Sequence, residues 1–156
     1  MIPRNSINEF LSLKKLAVIG VSRNANELAN IAYRKLKTLG ETVYPVNPFT
    51  ERIENDRCYP NIKSLPEKVD GILIMLPPAK TMDVLPEIAE AGIAHVWLQQ
   101  QTESPQAVQF CSDHNIHVVY GECIMMFLEP LGFPHRLHRW IKKVTGRLPR
   151  ENEIIV

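Results

Sequence analysis

The sequence predicts an α/β domain built on a doubly wound parallel sheet of about five strands, with helices on both faces. Short apolar runs typical of buried strands alternate along the chain with helical patterns that end at glycine. The run that follows Asp70, as far as Leu76, is apolar throughout, as a central parallel strand covered on both faces requires. The chain has 156 residues, which is enough for one domain with a sizeable core.

The first elements are a short helix, a strand, a longer helix and a second strand. Ser6-Ile7-Asn8-Glu9 fits a capping box and predicts a helix start. The apolar face of that helix comprises Ile7, Phe10 and Leu11. The run Leu16–Ile19 predicts a buried strand that enters the turn Gly20-Val21-Ser22. A helical pattern over Leu28–Leu39 follows, and Thr42–Val46 is the second strand.

The rest of the chain continues the alternation. Prolines make 48–66 mostly irregular, with one helical turn at Ile62–Leu65. Pro77-Pro78 ends the third strand, and Pro86 is expected in the first turn of the helix that follows. The remaining predicted elements are strands at His95–Leu98 and Ile116–Tyr120, a helix around Ala107–Cys111, and a last amphipathic helix over Phe133–Val144.

Composition excludes several function classes. The net charge of +1 provides no field that would attract nucleic acid or a membrane surface. No apolar run is long enough to span a bilayer, and the first residues do not resemble a signal peptide. Cys58, Cys111 and Cys123 are widely spaced and odd in number, which indicates a reducing compartment and therefore a cytoplasmic location.

The turn after the first strand is the strongest candidate ligand site. Strand, tight turn, helix and strand form the front half of a Rossmann-type nucleotide site, in which backbone N–H groups and a helix N-terminus face a phosphate. Gly20, Val21 and Ser22 would then hold a phosphate, although Ser22 can also be a simple helix N-cap. Arg23 is either a phosphate partner or a solvated loop residue. We expect Gly20→Val to remove ligand binding and to leave the fold mostly intact.

Two departures weaken a dinucleotide assignment. The second glycine of the dinucleotide fingerprint is replaced by Ser22, and the second strand is followed by Asn47-Pro48 instead of an acid. Asparagine lacks the charge that takes the ribose hydroxyls of NAD, and Pro48 has no N–H.

Ligands of open parallel sheets bind at the carboxyl ends of the strands. The candidate segments are therefore 20–24, 47–52, 76–80, 99–101 and 121–123.

These strand ends, taken in order, resemble the small stand-alone CoA-binding domain proteins, which are similar in fold to the N-terminal domain of the succinyl-CoA synthetase alpha subunit. The resemblance covers roughly Leu16 to Cys123. The residues that carry it are Ala17–Ser22, Val43–Pro48, Cys58-Tyr59-Pro60, Asp70 with the strand after it, Val96–Gln99 and Cys123. It implies CoA or an acyl-CoA at the Gly-x-Ser turn, with adenine near the end of the third strand. Pro77-Pro78 departs from the charged turn that many members have there.

The resemblance adds further candidate residues. Arg52 would meet the 3′-phosphate of CoA, or have only a surface role. Leu76, Pro77 and Pro78 would form an apolar wall for adenine, although ending a buried strand already explains a proline there. Gln99 would line the pantetheine channel or belong to a polar loop.

Cys123 would lie near the CoA thiol and form a mixed disulfide with it under oxidation; the alternative is a small buried hydrophobe. His135 and His138 could share a metal with Cys123, but no second cysteine has zinc-ligand spacing, and a polar helix flank is favoured.

The sequence thus predicts an N-terminal capping helix at 1–15, a CoA-binding domain at 16–123 and a helical extension at 124–156. The predicted function is a non-catalytic module that binds CoA or an acyl-CoA, with no nucleic acid, membrane or metal, and with any protein partner undetermined. The alternatives are a ligase-like subunit whose catalysis needs a partner, and an NAD(P)-binding protein, which Asn47 disfavours.

Overall fold

The computed structural model describes residues 4–128. The principal elements are α1 (Arg4–Leu11), β1 (Lys15–Ile19), α2 (Leu28–Thr38), β2 (Thr42–Val46), the short pair β3 (Arg52–Ile53) and β4 (Asp56–Arg57), β5 (Gly71–Ile74), α3 (Pro78–Glu90), β6 (His95–Gln99), α4 (Pro105–Asp113) and β7 (His117–Glu122). Short 3₁₀ turns occupy Ile62–Ser64 and Ile124–Met126.

The main sheet has five parallel strands in the order β2-β1-β5-β6-β7, which confirms the predicted doubly wound, Rossmann-like class. At the last position of β1, Ile19 is paired with Val46 of β2 on one side and with Ile74 of β5 on the other. The strand order reverses between β1 and β5, and this is the place where open α/β sheets bind ligands.

Two apolar layers cover the sheet. On one face, α1 and α2 contribute residues such as Phe10 and Tyr33, and the ring centroids of Phe10 and Trp97 lie 5.4 Å apart. On the other face, α3 contributes Leu85 and Ile88. Every residue of β5 is buried, because helices pack on both sides of it.

Four boundaries differ from the sequence-based expectations. The first helix spans Arg4–Leu11, so Ser6 lies inside it and the predicted capping box is wrong. The third strand ends at Ile74, before Met75 and Leu76. Pro78 occupies the first turn of α3, which places Pro86 in the helix interior, where its missing N–H removes one helical hydrogen bond. The last strand extends to Glu122.

A further difference is the β3–β4 hairpin, which lies inside the segment predicted to be irregular. Its tip is formed by Glu54 and Asn55, both at positive φ (49° and 70°). A two-residue turn of this type normally contains glycine, so the segment carries no hairpin signal in its sequence.

The predicted helix over 133–144, with His135 and His138, lies outside the described residues. Within residues 4–128, no helix combines the length and the apolar character that crossing a membrane requires.

Candidate functional site

A cleft of about 440 Å³ opens at the carboxyl ends of β2, β1 and β5. Three segments form its walls: the β1–α2 connection, the segment after β2, and the start of α3. The lining residues are Ile19, Gly20, Val21, Ser22, Val46, Asn47, Pro48, Phe49, Pro60, Asn61, Ile62, Leu76, Lys80, Asp83, Val84 and Glu87. The structure therefore brings together Gly20, Val21, Ser22, Asn47, Pro48 and Leu76 of the predicted site residues.

Gly20 is required by the backbone of the neighbouring strand. Its φ is +118°, and a Cβ built there would lie 2.4 Å from the carbonyl oxygen of Met75. The expectation that Gly20→Val would leave the fold mostly intact is therefore wrong, since a side chain would collide with the chain leaving β5.

Ser22 is held by a buried asparagine of α2. The Ser22 N–H donates to Oδ1 of Asn30 (2.9 Å), and Nδ2 of Asn30 donates to the Ser22 carbonyl (2.7 Å). The N-cap of α2 is Glu27, so Ser22 is not the helix cap that the alternative interpretation assumed. The Ser22 N–H is occupied, while its hydroxyl accepts from the Asn24 N–H (3.1 Å) and can still donate.

Free donors remain in the same turn. Among residues 4–128, the backbone N–H groups of Val21 and Arg23 have no hydrogen-bond partner. Unpaired backbone N–H groups in a turn are suited to anionic oxygens, although α2 itself starts only at Leu28. The Arg23 residue is exposed and lies outside the cleft lining.

Asn47 joins two walls of the cleft. Its Nδ2 donates to the Val21 carbonyl (2.9 Å), and its Oδ1 accepts from the Phe49 N–H (2.7 Å). An ionised Asp at this position would lack the donor, so the contact with Val21 explains why an amide replaces the acid typical of NAD sites.

The third wall carries the charged groups. Lys80 lies in the first turn of α3, and Asp83 and Glu87 follow along the same helix. Oε1 of Glu87 accepts from the Lys63 N–H (2.9 Å). Pro77 is the N-cap of α3 and Pro78 its first residue; both are exposed, and neither lines the cleft.

Sequence reasoning missed several of these residues. Phe49 lies at the cleft with 84% of its surface exposed, which is unusual for a phenylalanine. Lys80 belongs to a candidate segment, but no sequence pattern distinguishes it from its neighbours there. Asn30 is fully buried, and the available signal for it was a polar side chain on the apolar face of the predicted helix.

Gln99 is the last residue of β6, and Cys123 directly follows β7. Both lie at the carboxyl edge of the sheet but outside the cleft lining. Gln99 is 4% exposed, and its Oε1 accepts from the Ile124 N–H (3.0 Å). Cys123 is 6% exposed. The other thiols are also buried, and burial raises the pKa of Cys58 and raises that of Cys111 to about 11. Within the described part of the chain, no cluster of three or more His, Cys, Asp or Glu side chains suits a metal ion.

A model of the CoA binding domain family matches residues 14–129. The ADP-forming acetate–CoA ligase II of Archaeoglobus fulgidus is 37% identical over 82 residues, which cover 51% of this chain and 12% of the ligase. The alpha subunit of the corresponding Pyrococcus furiosus enzyme is 24% identical over 129 residues, 76% of this chain and 28% of that subunit. This chain thus spans only a minor part of these ligase relatives.

A hypothetical protein from Pyrococcus horikoshii OT3 has a similar solved structure. The TM-score is 0.74 at 29% sequence identity, and the superposition covers 80% of this chain and 92% of that one. The likeness therefore extends over nearly the whole of a small protein.

Proposed function

We propose, from the premise that the chain belongs to the family of CoA-binding domains, that it binds CoA or an acyl-CoA in this cleft as a non-catalytic module. The observation that carries the proposal is the cleft of about 440 Å³, whose floor is the Gly20-Val21-Ser22 turn at the strand-order reversal. Its volume lies within the usual range of small-molecule sites.

The diphosphate is assigned to the turn. Within the lining, the unpaired N–H group of Val21, the hydroxyl of Ser22 and the ammonium of Lys80 are the groups suited to phosphate oxygens. The apolar walls, which include Leu76 and Pro48, suit the flat adenine ring.

The side chains of the cleft lining support a binding role. Its described lining contains one hydroxyl, that of Ser22, and no histidine or cysteine; of its two carboxylates, Glu87 already accepts from the Lys63 N–H. The Asn47 amide is engaged in holding the walls together. The arrangement therefore favours holding a thioester over cleaving one.

The ligase relatives favour a second candidate, a module that acts with a larger catalytic chain. This chain covers 12% and 28% of the two ligase relatives, so most of each has no counterpart here. In that case the protein would present CoA to a partner, and it would have no ligase activity alone.

Calorimetric titration tests the binding proposal. We expect CoA and acetyl-CoA to bind more tightly than NAD, and Lys80→Gln to weaken CoA about tenfold through loss of one charge-assisted contact. Lys68→Gln, an exposed lysine outside the cleft, is the matched control and should leave the affinity unchanged. NAD binding as tightly as CoA contradicts the proposal.

A turnover assay tests the non-catalytic part. Acetyl-CoA incubated with the pure protein should release free thiol no faster than in buffer. Steady turnover that is lost in Ser22→Ala would make the cleft a catalytic site.

A further inference from the structure

The described lining of the cleft contains little positive charge. Lys80 is its one cation, and Asp83 and Glu87 are acidic. Arg52, which the sequence suggested as a phosphate partner, lines a groove beside the cleft instead. An anionic ligand in the cleft therefore depends on neutral donors as well, and Ser22 carries the one side-chain hydroxyl in that lining.

The buried side chain of Asn30 binds both main-chain polar groups of Ser22. Its Oδ1 accepts from the Ser22 N–H (2.9 Å), and its Nδ2 donates to the Ser22 carbonyl (2.7 Å). The N–H belongs to the peptide group before the Cα of Ser22, and the carbonyl belongs to the peptide group after it. Because each peptide group is planar, one side chain fixes both groups around that Cα and thereby the direction of the Cα–Cβ bond.

Asn47 holds the first of these two peptide groups from the opposite side. Its Nδ2 donates to the Val21 carbonyl (2.9 Å), which belongs to the same planar unit as the Ser22 N–H. The carbonyl and the N–H of a trans peptide point in opposite directions. This peptide group is therefore held at both ends, by amides from α2 and from the segment after β2, and cannot rotate without losing two hydrogen bonds.

The hydroxyl of Ser22 is oriented as well. It accepts from the Asn24 N–H (3.1 Å), and among residues 4–128 no acceptor takes its own hydrogen. Ser22 is half-buried and lines the cleft, so this hydrogen is available to a ligand oxygen.

The packing of α2 does not call for an amide at position 30. Asn30 is fully buried, and the other buried residues of the helix are Ala29, Ala32, Tyr33 and Leu36. A buried amide destabilises a fold unless its polar atoms are hydrogen-bonded. The two contacts with Ser22 satisfy this amide, so the turn at the cleft explains why a polar residue occupies the position.

We infer that Asn30 is a positioning residue of this site, which fixes Ser22 from the core side so that the Ser22 hydroxyl is directed to an anionic oxygen of the ligand. The inference rests on the proposed function, in which that oxygen belongs to the diphosphate. A donor that is already oriented loses less conformational entropy when the ligand binds. Asn30 then affects ligand affinity through Ser22, whereas a purely structural residue would affect it independently of Ser22.

A double-mutant cycle separates these two roles. Calorimetric titration with CoA compares Ser22→Ala, Asn30→Ser and the variant that carries both changes. Each single change should weaken CoA about tenfold, since one hydrogen bond to a charged group contributes about that factor. The double change should also weaken CoA about tenfold, because Asn30 has no hydroxyl left to position. Independent roles would give about a hundredfold loss.

Asn30→Asp adds a pH profile. An ionised carboxylate accepts from the Ser22 N–H but has no donor for the Ser22 carbonyl, whereas a protonated carboxyl group supplies both. Burial raises the pKa of the introduced carboxyl group. The ratio of CoA affinities, unaltered protein to variant, should be about ten near pH 8 and should fall towards one as the group is protonated at lower pH. Titration of CoA itself cancels in this ratio.

Thr102→Val is the matched control. Thr102 is buried between β6 and α4, outside the cleft lining, and its hydroxyl donates to the Gln99 carbonyl (2.7 Å). This variant should be less stable in urea and should bind CoA as the unaltered protein does.

Four results would overturn the inference and preserve the proposed function. They are unchanged CoA affinity in folded Asn30→Ser, additive losses in the cycle, an affinity ratio for Asn30→Asp that is constant with pH, and loss of the fold in both Asn30 variants by circular dichroism. If Asn30→Ser alone fails to fold, the pH profile decides. Failure of the unaltered protein to bind CoA overturns the inference and the proposed function together.

Discussion

The carboxyl edge of the sheet has an open half and a closed half. The open half comprises the ends of β2, β1 and β5, where three connections separate and leave the cleft. The closed half comprises the ends of β6 and β7, where Gln99 and Cys123 are buried. The sequence predicts ligand contacts in both halves. Gly20, Asn47 and Leu76 of the open half line the cleft, whereas Gln99 and Cys123 of the closed half do not.

The two halves differ in the segments that leave their strands. In the closed half, the end of β7 and the segment after it take the available polar groups. Gln99 accepts from the Ile124 N–H, and the Trp97 indole N–H donates to the carbonyl of Glu122, the last residue of β7 (3.1 Å). In the open half, Asn47 binds the backbone of the adjacent wall and so holds the cleft open. The chain therefore uses the strand-end amides of both halves, and the halves differ in whether the following segment covers the strand ends or leaves a cleft beside them.

The largest expected effect is a difference in unfolding free energy between a glycine substitution in the open half and one in the closed half. Gly20→Ala should cost about 3 kcal/mol or more of unfolding free energy, because its Cβ would meet the Met75 carbonyl in a backbone conformation unfavourable for alanine. Gly121, at φ +73°, has nothing within 4 Å of such a Cβ, so Gly121→Ala should cost only about 1 kcal/mol. Urea denaturation measures both, and equal costs would contradict the role given to the Met75 contact.

A smaller effect distinguishes the amide of Gln99 in the closed half from the amide of Asn47 in the open half. Gln99→Ala leaves the buried Ile124 N–H without its partner and should destabilise the protein by about 1–3 kcal/mol, with CoA affinity unchanged. Asn47→Ala should cost a similar free energy and also weaken CoA about tenfold, because it releases the two walls of the cleft. Parallel denaturation and calorimetry measure the two quantities. A loss of CoA affinity in Gln99→Ala would mean that the ligand extends into the closed half.

The strands of the sheet could be predicted because the hydrophobic pattern of a strand is contained in its own few residues. The run Leu16–Ile19 and the segment Thr42–Val46 need only their own pattern to be identified, and β2 agrees with the prediction at both ends. The fold class and the position of the Gly20 turn follow from the order of such runs.

The contacts within the site could not be predicted in the same way. Asn47 meets Val21 across 26 positions of sequence, and the pairing of Ser22 with Asn30 depends on how α2 packs. The β3–β4 hairpin lacks a turn glycine, so the pairing of Arg52 with Arg57 is visible only in the folded chain.

The smallest expected effect concerns the thiols, and it tests whether the closed half stays closed. A mixed disulfide between Cys123 and CoA needs a thiolate that can reach the CoA disulfide, but Cys123 is 6% exposed. Cys111 has a pKa of about 11 against the ordinary 9.0, which lowers its thiolate fraction about a hundredfold at neutral pH, and burial also raises the pKa of Cys58. We therefore expect CoA disulfide to leave the folded protein unmodified over the time in which the urea-unfolded chain acquires adducts at all three cysteines, as mapped by mass spectrometry after digestion. Rapid modification of Cys123 alone in the folded protein, suppressed by excess CoA, would show that the closed half opens to the thiol end of the ligand. Such a result would restore the redox coupling that the sequence suggested and extend the binding site across the full width of the sheet.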